Sequence, residues 1–323
     1  MKILQIQEPG RFTWSDAPMP SPAADEVLVR VDAITTCPHW DIHLMAGEPM
    51  FPGGTLEYPY TPGQPGHEMT GTVEILGTDV EEFAIGDRVA AWRDRGAAAI
   101  GCYARYVAFA ADSLLKVPDH LNPLAVASLE LAMCVQVSFD QLAGLGGIEG
   151  KRFAVGGLGP AGLIAVQMAR AYGAGEVVGV DLLPQRRDLA RQLGADQVVT
   201  PDDIPPGRFE PTSFAVGLDC TGLAPAVQFL MDRTLETVAL FGVLRDQVAF
   251  GFDHWRRGLT LAGYPGHNQQ AAERALALIA DGQLQLEPLA THTLPLSRYA
   301  EGVELLRRKE AVKIGFLPWT DED

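Results

Sequence analysis

Apolar positions along this chain fall into three textures. Up to about residue 120, short runs of partial alternation sit between Gly- and Pro-rich segments. "EVLVRVDAI" (26–34), "MTGTVEILG" (69–77), "GDRVAAW" (86–92) and "YARYVAFAA" (103–111) carry the β-branched residues and two-residue period of strands. This part reads as an irregular β-rich domain with long loops. Near Pro118 the period changes. "FAVGGLGPAGLIAVQMARAYGA" (153–174) is an apolar strand, a glycine turn and then a helical repeat, followed by the strand "EVVGVD" (176–181) and the amphipathic helix "PQRRDLARQLGA" (184–195). Strands at 214–222, 237–244 and 259–264 and helices at 225–233 and 270–282 continue the alternation. Parallel neighbours need a crossover connection, so this alternation predicts βαβ units in a parallel sheet. A last helix and strand (294–318) are expected to return to the first domain. The predicted division is a β-rich domain over 1–122 and 284–323 and an α/β domain over 123–283.

Length agrees with two domains, since 323 residues exceed one compact core. Hydrophobic content of 47% and charged content of 20% fit a globular protein. Acidic residues outnumber basic ones by 41 to 25, a net charge of −16. Such a surface repels phosphate backbones and anionic lipid, so nucleic acid and membranes are poor partners and a small molecule is the expected one. No run reaches the ~18 apolar residues of a membrane span, and the stretch from Leu124 to Val137 is broken by Ser128, Glu130 and Gln136. Cys37, Cys102, Cys134 and Cys220 are scattered rather than arranged as a disulfide framework. The expectation is a cytoplasmic protein with free thiols.

Gly157-Leu158-Gly159-Pro160-Ala161-Gly162 fits G-x-G-x-x-G between a strand and a helix. The first glycine permits a tight turn, the second a close approach to pyrophosphate, and the third close helix–strand packing. The helix start offers N–H groups and a positive dipole end to phosphate. Asp181 lies 19 residues after Gly162, where a carboxylate accepts from ribose hydroxyls and repels a 2′-phosphate. NAD is therefore expected over NADP, with Arg186 and Arg187 close enough to weaken the preference. The fold class is a Rossmann doubly wound sheet with a second, β-rich domain.

Within 61–90, Pro65, Gly66, His67, Glu68, Gly71, Val73, Gly86, Asp87, Arg88 and Val89 follow P-G-H-E-x-x-G-x-V…G-D-R-V. With "GCYARYV" (101–107), the glycine fingerprint, "DCTG" (219–222) and "VKIGFLP" (312–318), the chain resembles the zinc-containing medium-chain dehydrogenase/reductase superfamily over essentially its whole length. The resemblance implies a GroES-like catalytic domain and one catalytic zinc. It implies Cys37 as first ligand, His67 as second and Glu68 as ligand or close carboxylate, with Asp41 orienting the zinc-bound histidine. Thiolate, imidazole and carboxylate suit Zn²⁺ with one position left open. The motif C-x-[ST]-D-x-H departs here, because Cys37 and Asp41 carry an extra residue between them. Counting forward from Pro118 puts the third ligand on Glu130; counting back from Gly150 puts it on Met133 beside Cys134. Glu130 is preferred and Cys134 held in reserve. Only Cys102 stands where a four-cysteine structural zinc lobe would be, so no such site is expected.

The resemblance implies hydride transfer between a secondary alcohol or polyol, or the matching carbonyl, and NAD(H), by a homodimer or homotetramer. His39, where relatives carry Ser or Thr, and His43 are the candidate proton carriers. Lys313 is a weak candidate for a cofactor phosphate. Two alternatives stay open: a zinc-free quinone or enone reductase of the same fold, against which Cys37, His67 and Glu68 argue, and a non-catalytic dinucleotide-binding protein.

Overall fold

A computed structural model describes residues 1–93, 96–205 and 213–320. The chain opens on an antiparallel pair, β1 (Lys2–Glu8) and β2 (Arg11–Asp16). β3 (Glu26–Thr35), α1 (Pro38–Ala46), β4 (Glu68–Leu76), β5 (Arg88–Ala91), β6 (Tyr106–Ala110) and β7 (Leu114–Lys116) follow. Next come α2 (Pro123–Val126), α3 (Leu129–Gly144), β8 (Arg152–Gly156), α4 (Pro160–Ala171), β9 (Glu176–Val180), α5 (Pro184–Gln192) and β10 (Gln197–Val199). After β11 (Phe214–Asp219) come α6 (Ala224–Arg233), β12 (Thr234–Leu240), α7 (Phe252–Arg256), β13 (Thr260–Gly263) and α8 (Gln269–Ala280). β14 (Ala290–Leu294), α9 (Tyr299–Arg307) and β15 (Lys313–Phe316) close the chain.

Packing divides it into Met1–Leu131 with Leu286–Asp323, and Ala132–Gln285. The sequence reading cuts at 122 and 284; the first cut moves to 131 because α2 and the start of α3 belong with the β-rich unit. Thr70 Oγ1 there donates to the Pro123 carbonyl at 3.0 Å, and Asn122 Nδ2 donates to Glu287 Oε1 at 2.8 Å. The stretch Pro123–Gly144 is long and apolar enough to cross a membrane by composition, and 72% of its apolar window is buried inside the protein, as in a core helix.

In the β-rich unit the strand order is β14-β15-β3-β4-β5-β7, with β6 also on β3. β3 is the spine. One edge pairs with β4 from Val27↔Leu76 to Thr35↔Glu68; the other is shared between β6 at its start and β15 at its end. Val27, Val29 and Val31 on β3 join Leu4, Met69, Val107 and Phe316 in one core. The segment after Cys37 forms α1. Pro38 sits at the first helical turn, where its fixed φ costs nothing, and Gly47 at φ 77° ends the helix.

Among the described residues of the other unit, six parallel strands run β10-β9-β8-β11-β12-β13. This is the doubly wound 3-2-1-4-5-6 order, in which ligands bind beyond the carboxyl ends of the strands where the winding reverses, here between β8 and β11. Ala154, Val178, Phe214, Leu230 and Val238 fill one face of the sheet.

Candidate functional site

The β3–β4 register sets Thr35 opposite Glu68, and the β15–β3 register sets Gly315 opposite Thr35. Side chains two apart on a strand share a face, so Lys313 shares a face with Gly315. The outcome is a buried polar chain. Lys313 Nζ donates to Glu68 Oε2 at 2.5 Å and Thr35 Oγ1 donates to the same oxygen at 2.9 Å. Thr35 and Ser128 hydroxyls lie 2.8 Å apart. Thr35 spends its hydrogen on Glu68, so Ser128 is the donor to Thr35. Lys313 is fully buried, not directed to a cofactor phosphate as the sequence suggests. A cation inside a sheet core needs a buried anion, and the register supplies one.

Cys37 caps α1, and its sulfur, the His67 ring and the Glu68 carboxylate bring donor atoms within 4.8 Å of one another. His67 Nδ1 lies 2.7 Å from the Pro65 carbonyl. A carbonyl only accepts, so Nδ1 carries a hydrogen and Nε2 is the nitrogen left for a metal. Nε2 lies 3.8 Å from Glu130 Oε2. Burial alone would lower the His67 pKa, but the bond to Cys37 and the charges of Glu130, Cys37 and Glu68 outweigh it and hold the ring well above its ordinary value. The cluster is thus an anionic hole that draws a cation. Glu68 Oε1 is buried with no hydrogen-bond partner among the described residues, an orphan acceptor in that hole. Sulfur, imidazole nitrogen and carboxylate oxygen are the donor set of a catalytic zinc, so the residues fit the ion.

Asp41 departs from what the resemblance implies. His67 spends Nδ1 on Pro65, two residues back in its own turn, while Asp41 Oδ1 accepts from the Tyr103 and Tyr299 hydroxyls, each at 2.8 Å. Burial pushes the Asp41 pKa up to about 6, with the two phenol bonds opposing. Asp41 Oδ2 is buried without a hydrogen-bond partner among the described residues. Thr35, Ser128, Tyr103 and Tyr299 are site residues that sequence reasoning missed. Short hydroxyl residues in strands carry no signal of their own, whereas "GCYARYV" at least flagged the stretch holding Tyr103.

His39 and His43 lie on α1 with ring centroids 5.6 Å apart. His43 Nδ1 is 3.6 Å from Glu48 Oε2. Beside them, Trp40 packs edge-on against Phe51, and the Tyr58 hydroxyl donates to the Leu44 carbonyl at 2.5 Å. These contacts are local packing. Cys134, the reserve ligand, accepts from the Tyr264 hydroxyl at 3.2 Å. Cys102 is buried in the β-rich core.

In the α/β unit, Gly156 ends β8 and the turn Gly157, Leu158, Gly159 leads into Pro160, Ala161 and Gly162 of α4. Gly157 sits at φ 84°, which favours glycine. A Cβ on Gly162 would lie 1.8 Å from the Gly157 carbonyl oxygen, so only glycine lets the turn fold onto its helix. Gly159 caps α4 and Pro160 occupies its first turn, leaving the amides of Ala161 and Gly162 for an anion. Asp181 follows β9; its Oδ2 accepts from Leu158 N–H at 2.7 Å and its Oδ1 from Leu183 N–H at 2.8 Å. Arg186 Nη1 stands 3.9 Å from Asp181 Oδ2, at the mouth of the turn. Arg187 donates instead to the Asp181 and Leu182 carbonyls. Across the sheet switch, Asp219 accepts from the Thr221 hydroxyl and the Gly222 N–H, fixing the "DCTG" loop beside Gly157.

Comparison with known proteins agrees with this geometry. Residues 23–119 match the family described as alcohol dehydrogenase GroES-like domain, and residues 160–281 match zinc-binding dehydrogenase. The chain is 25% identical over 351 residues to an L-threonine 3-dehydrogenase of Rhizobium etli, covering 97% of each chain. It is 26% identical to the L-threonine 3-dehydrogenase of Bacillus subtilis, covering 98% and 99%. Among solved structures, a zinc-binding dehydrogenase of Sinorhizobium meliloti 1021 bound to NADP superposes with a TM-score of 0.83 at 25% identity, over 98% of this chain and 99% of that one. The 2R,3R-butanediol dehydrogenase of Bacillus subtilis gives a TM-score of 0.85 at 22% identity, with the same coverage, and supports the fold.

Proposed function

Because the chain belongs to the zinc-containing medium-chain dehydrogenase/reductase superfamily, we propose that it is a zinc-dependent oxidoreductase exchanging hydride between a secondary alcohol or polyol, or the matching carbonyl, and NAD(H). The observation that carries this reading is the convergence of the Cys37, His67 and Glu68 donor atoms within 4.8 Å. Cys37, His67 and Glu130 hold the ion in this proposal, and Glu68 stands beside it. Bound zinc supplies Lewis-acid polarisation of the substrate oxygen. The chain's own residues do the rest. The Pro65 carbonyl fixes the His67 tautomer, and His39 and His43 carry the substrate proton toward solvent. The Gly157–Gly162 turn and the first turn of α4 bind the pyrophosphate.

Asp181 supports NAD as the preferred cofactor, since its carboxylate repels a 2′-phosphate. Arg186 beside it favours some NADP use, and the S. meliloti relative is a precedent for NADP. The β-rich unit is the catalytic, zinc-binding part and the α/β unit the dinucleotide-binding part. A cytoplasmic homodimer or homotetramer is the working form, to be tested by fractionation and light scattering.

The test is elemental analysis of the purified protein, then NADH production from a panel of secondary alcohols and polyols that includes L-threonine. In the same assays, His67→Ala loses zinc and turnover and keeps NADH binding. Full activity in that variant, or turnover by a protein devoid of transition metal, refutes the proposal.

A further inference from the structure

Lys313 is a fully buried cation that donates to Glu68, and that carboxylate belongs to the metal cluster. An ammonium deep in a sheet core is expensive unless paired. Glu68 pairs it through Oε2, and Thr35 adds a second bond to the same oxygen, itself backed by Ser128 at the threshold of α3. Oε1 has no hydrogen-bond partner among the described residues and is the part of Glu68 that remains for a cation. Charges close on the same arrangement. A dication with the Cys37 thiolate and the Glu130 carboxylate sums to zero; Glu68 adds one negative charge and Lys313 returns the balance.

We propose that Lys313 is a positioning residue that tethers Glu68 by one oxygen, keeping that carboxylate from becoming a permanent metal ligand so that one coordination position stays open. The inference rests on the zinc reading of this site. It assigns to Lys313 and Thr35 the choice between a closed four-ligand structural ion and an open catalytic one. Without the ammonium, Thr35 is the partner that remains to an ionised Glu68 among the described residues, so the carboxylate turns to the metal, and a positive charge no longer opposes the dication. Both effects tighten metal binding and fill the open position. A merely structural lysine predicts the opposite, a loosened site that sheds metal.

The experiment uses the purified full chain loaded with Co²⁺ or Zn²⁺. In the wild-type Co²⁺ protein, added imidazole shifts the visible d–d bands, because one position exchanges; an imidazole-insensitive spectrum overturns the proposal without any variant. By chelator competition, Lys313→Met binds Zn²⁺ about tenfold tighter or more, on the scale by which groups behind metal ligands shift affinity. Its Co²⁺ spectrum no longer responds to imidazole. The gain disappears in Glu68→Gln/Lys313→Met compared with Glu68→Gln alone. Metal held no tighter in Lys313→Met, or lost from it, overturns the tether. So does equal tightening in both Glu68 backgrounds, which assigns the effect to charge alone. A wild-type protein that takes up neither ion fails the zinc reading itself, a result distinct from all of these.

Discussion

Asp41 offers the sharpest test of the buried network, because its cost is legible in the structure. The carboxyl is fully buried; two phenols donate to Oδ1, and Oδ2 has no hydrogen-bond partner among the described residues. Burial lifts its pKa from 3.8 to about 6. The folded state therefore holds a proton that the unfolded chain releases, and between those two values folding takes up protons. Stability then falls as pH rises from about 4 to about 6 and stays at the lower level above it. At about 1.36 kcal/mol per pH unit the loss comes to about 3 kcal/mol. Asp41→Asn cannot ionise, so it escapes this loss. Its amide oxygen still accepts from Tyr103 and Tyr299, while its NH₂ group, left without an acceptor, lowers stability by about 1–3 kcal/mol at every pH. That offset moves the curve without bending it. The assay is urea unfolding of chelator-treated wild type and variant from pH 4 to 8, read as the difference between the two. The expected difference climbs in the variant's favour by about 3 kcal/mol and levels off above pH 7. A flat difference would show that Asp41 keeps an ordinary pKa and that the two phenols satisfy it, refuting the argument.

Three further outcomes are expected. Gly162→Ala abolishes dinucleotide binding by calorimetry while leaving zinc content intact, because a Cβ 1.8 Å from the Gly157 oxygen cannot be housed without opening the turn; unchanged NADH affinity would remove the turn from the cofactor site. Asp181→Ala weakens NAD about tenfold or more, the scale of lost bonds to a charged acceptor, and weakens NADP less; an unchanged ratio of the two KM values would show that Asp181 does not read the ribose. Glu130→Ala loses zinc by elemental analysis and Cys134→Ser retains it, whereas the reverse result would move the third ligand to Cys134.

Much of the fold was readable along the chain. Alternating Val and Ile with Gly–Pro breaks gave β3 to β6, and the switch to a helical period gave the βαβ run, because two-residue and 3.6-residue periods are local properties. The glycine turn was readable for the same reason, since its steric demands lie within a few residues. Cys37, His67 and Glu68 stood out through their motif, and the structure brings their donor atoms together.

Tertiary structure decided what depends on pairing across distance. Asp41 on α1 finds its phenol partner Tyr299 258 positions away, a pairing no local pattern announces. The boundary near residue 131 goes with long-range contacts such as the bond from Thr70 on β4 to Pro123 on α2, not with any change of texture. Lys313 reads along the chain as a candidate for a cofactor phosphate. Only the β15–β3–β4 register, joining residues 245 positions apart, turned it into the buried partner of Glu68. Periodicity tells which face a side chain takes, but which charge meets which is fixed by strand order and register, and those emerge only when the whole sheet forms.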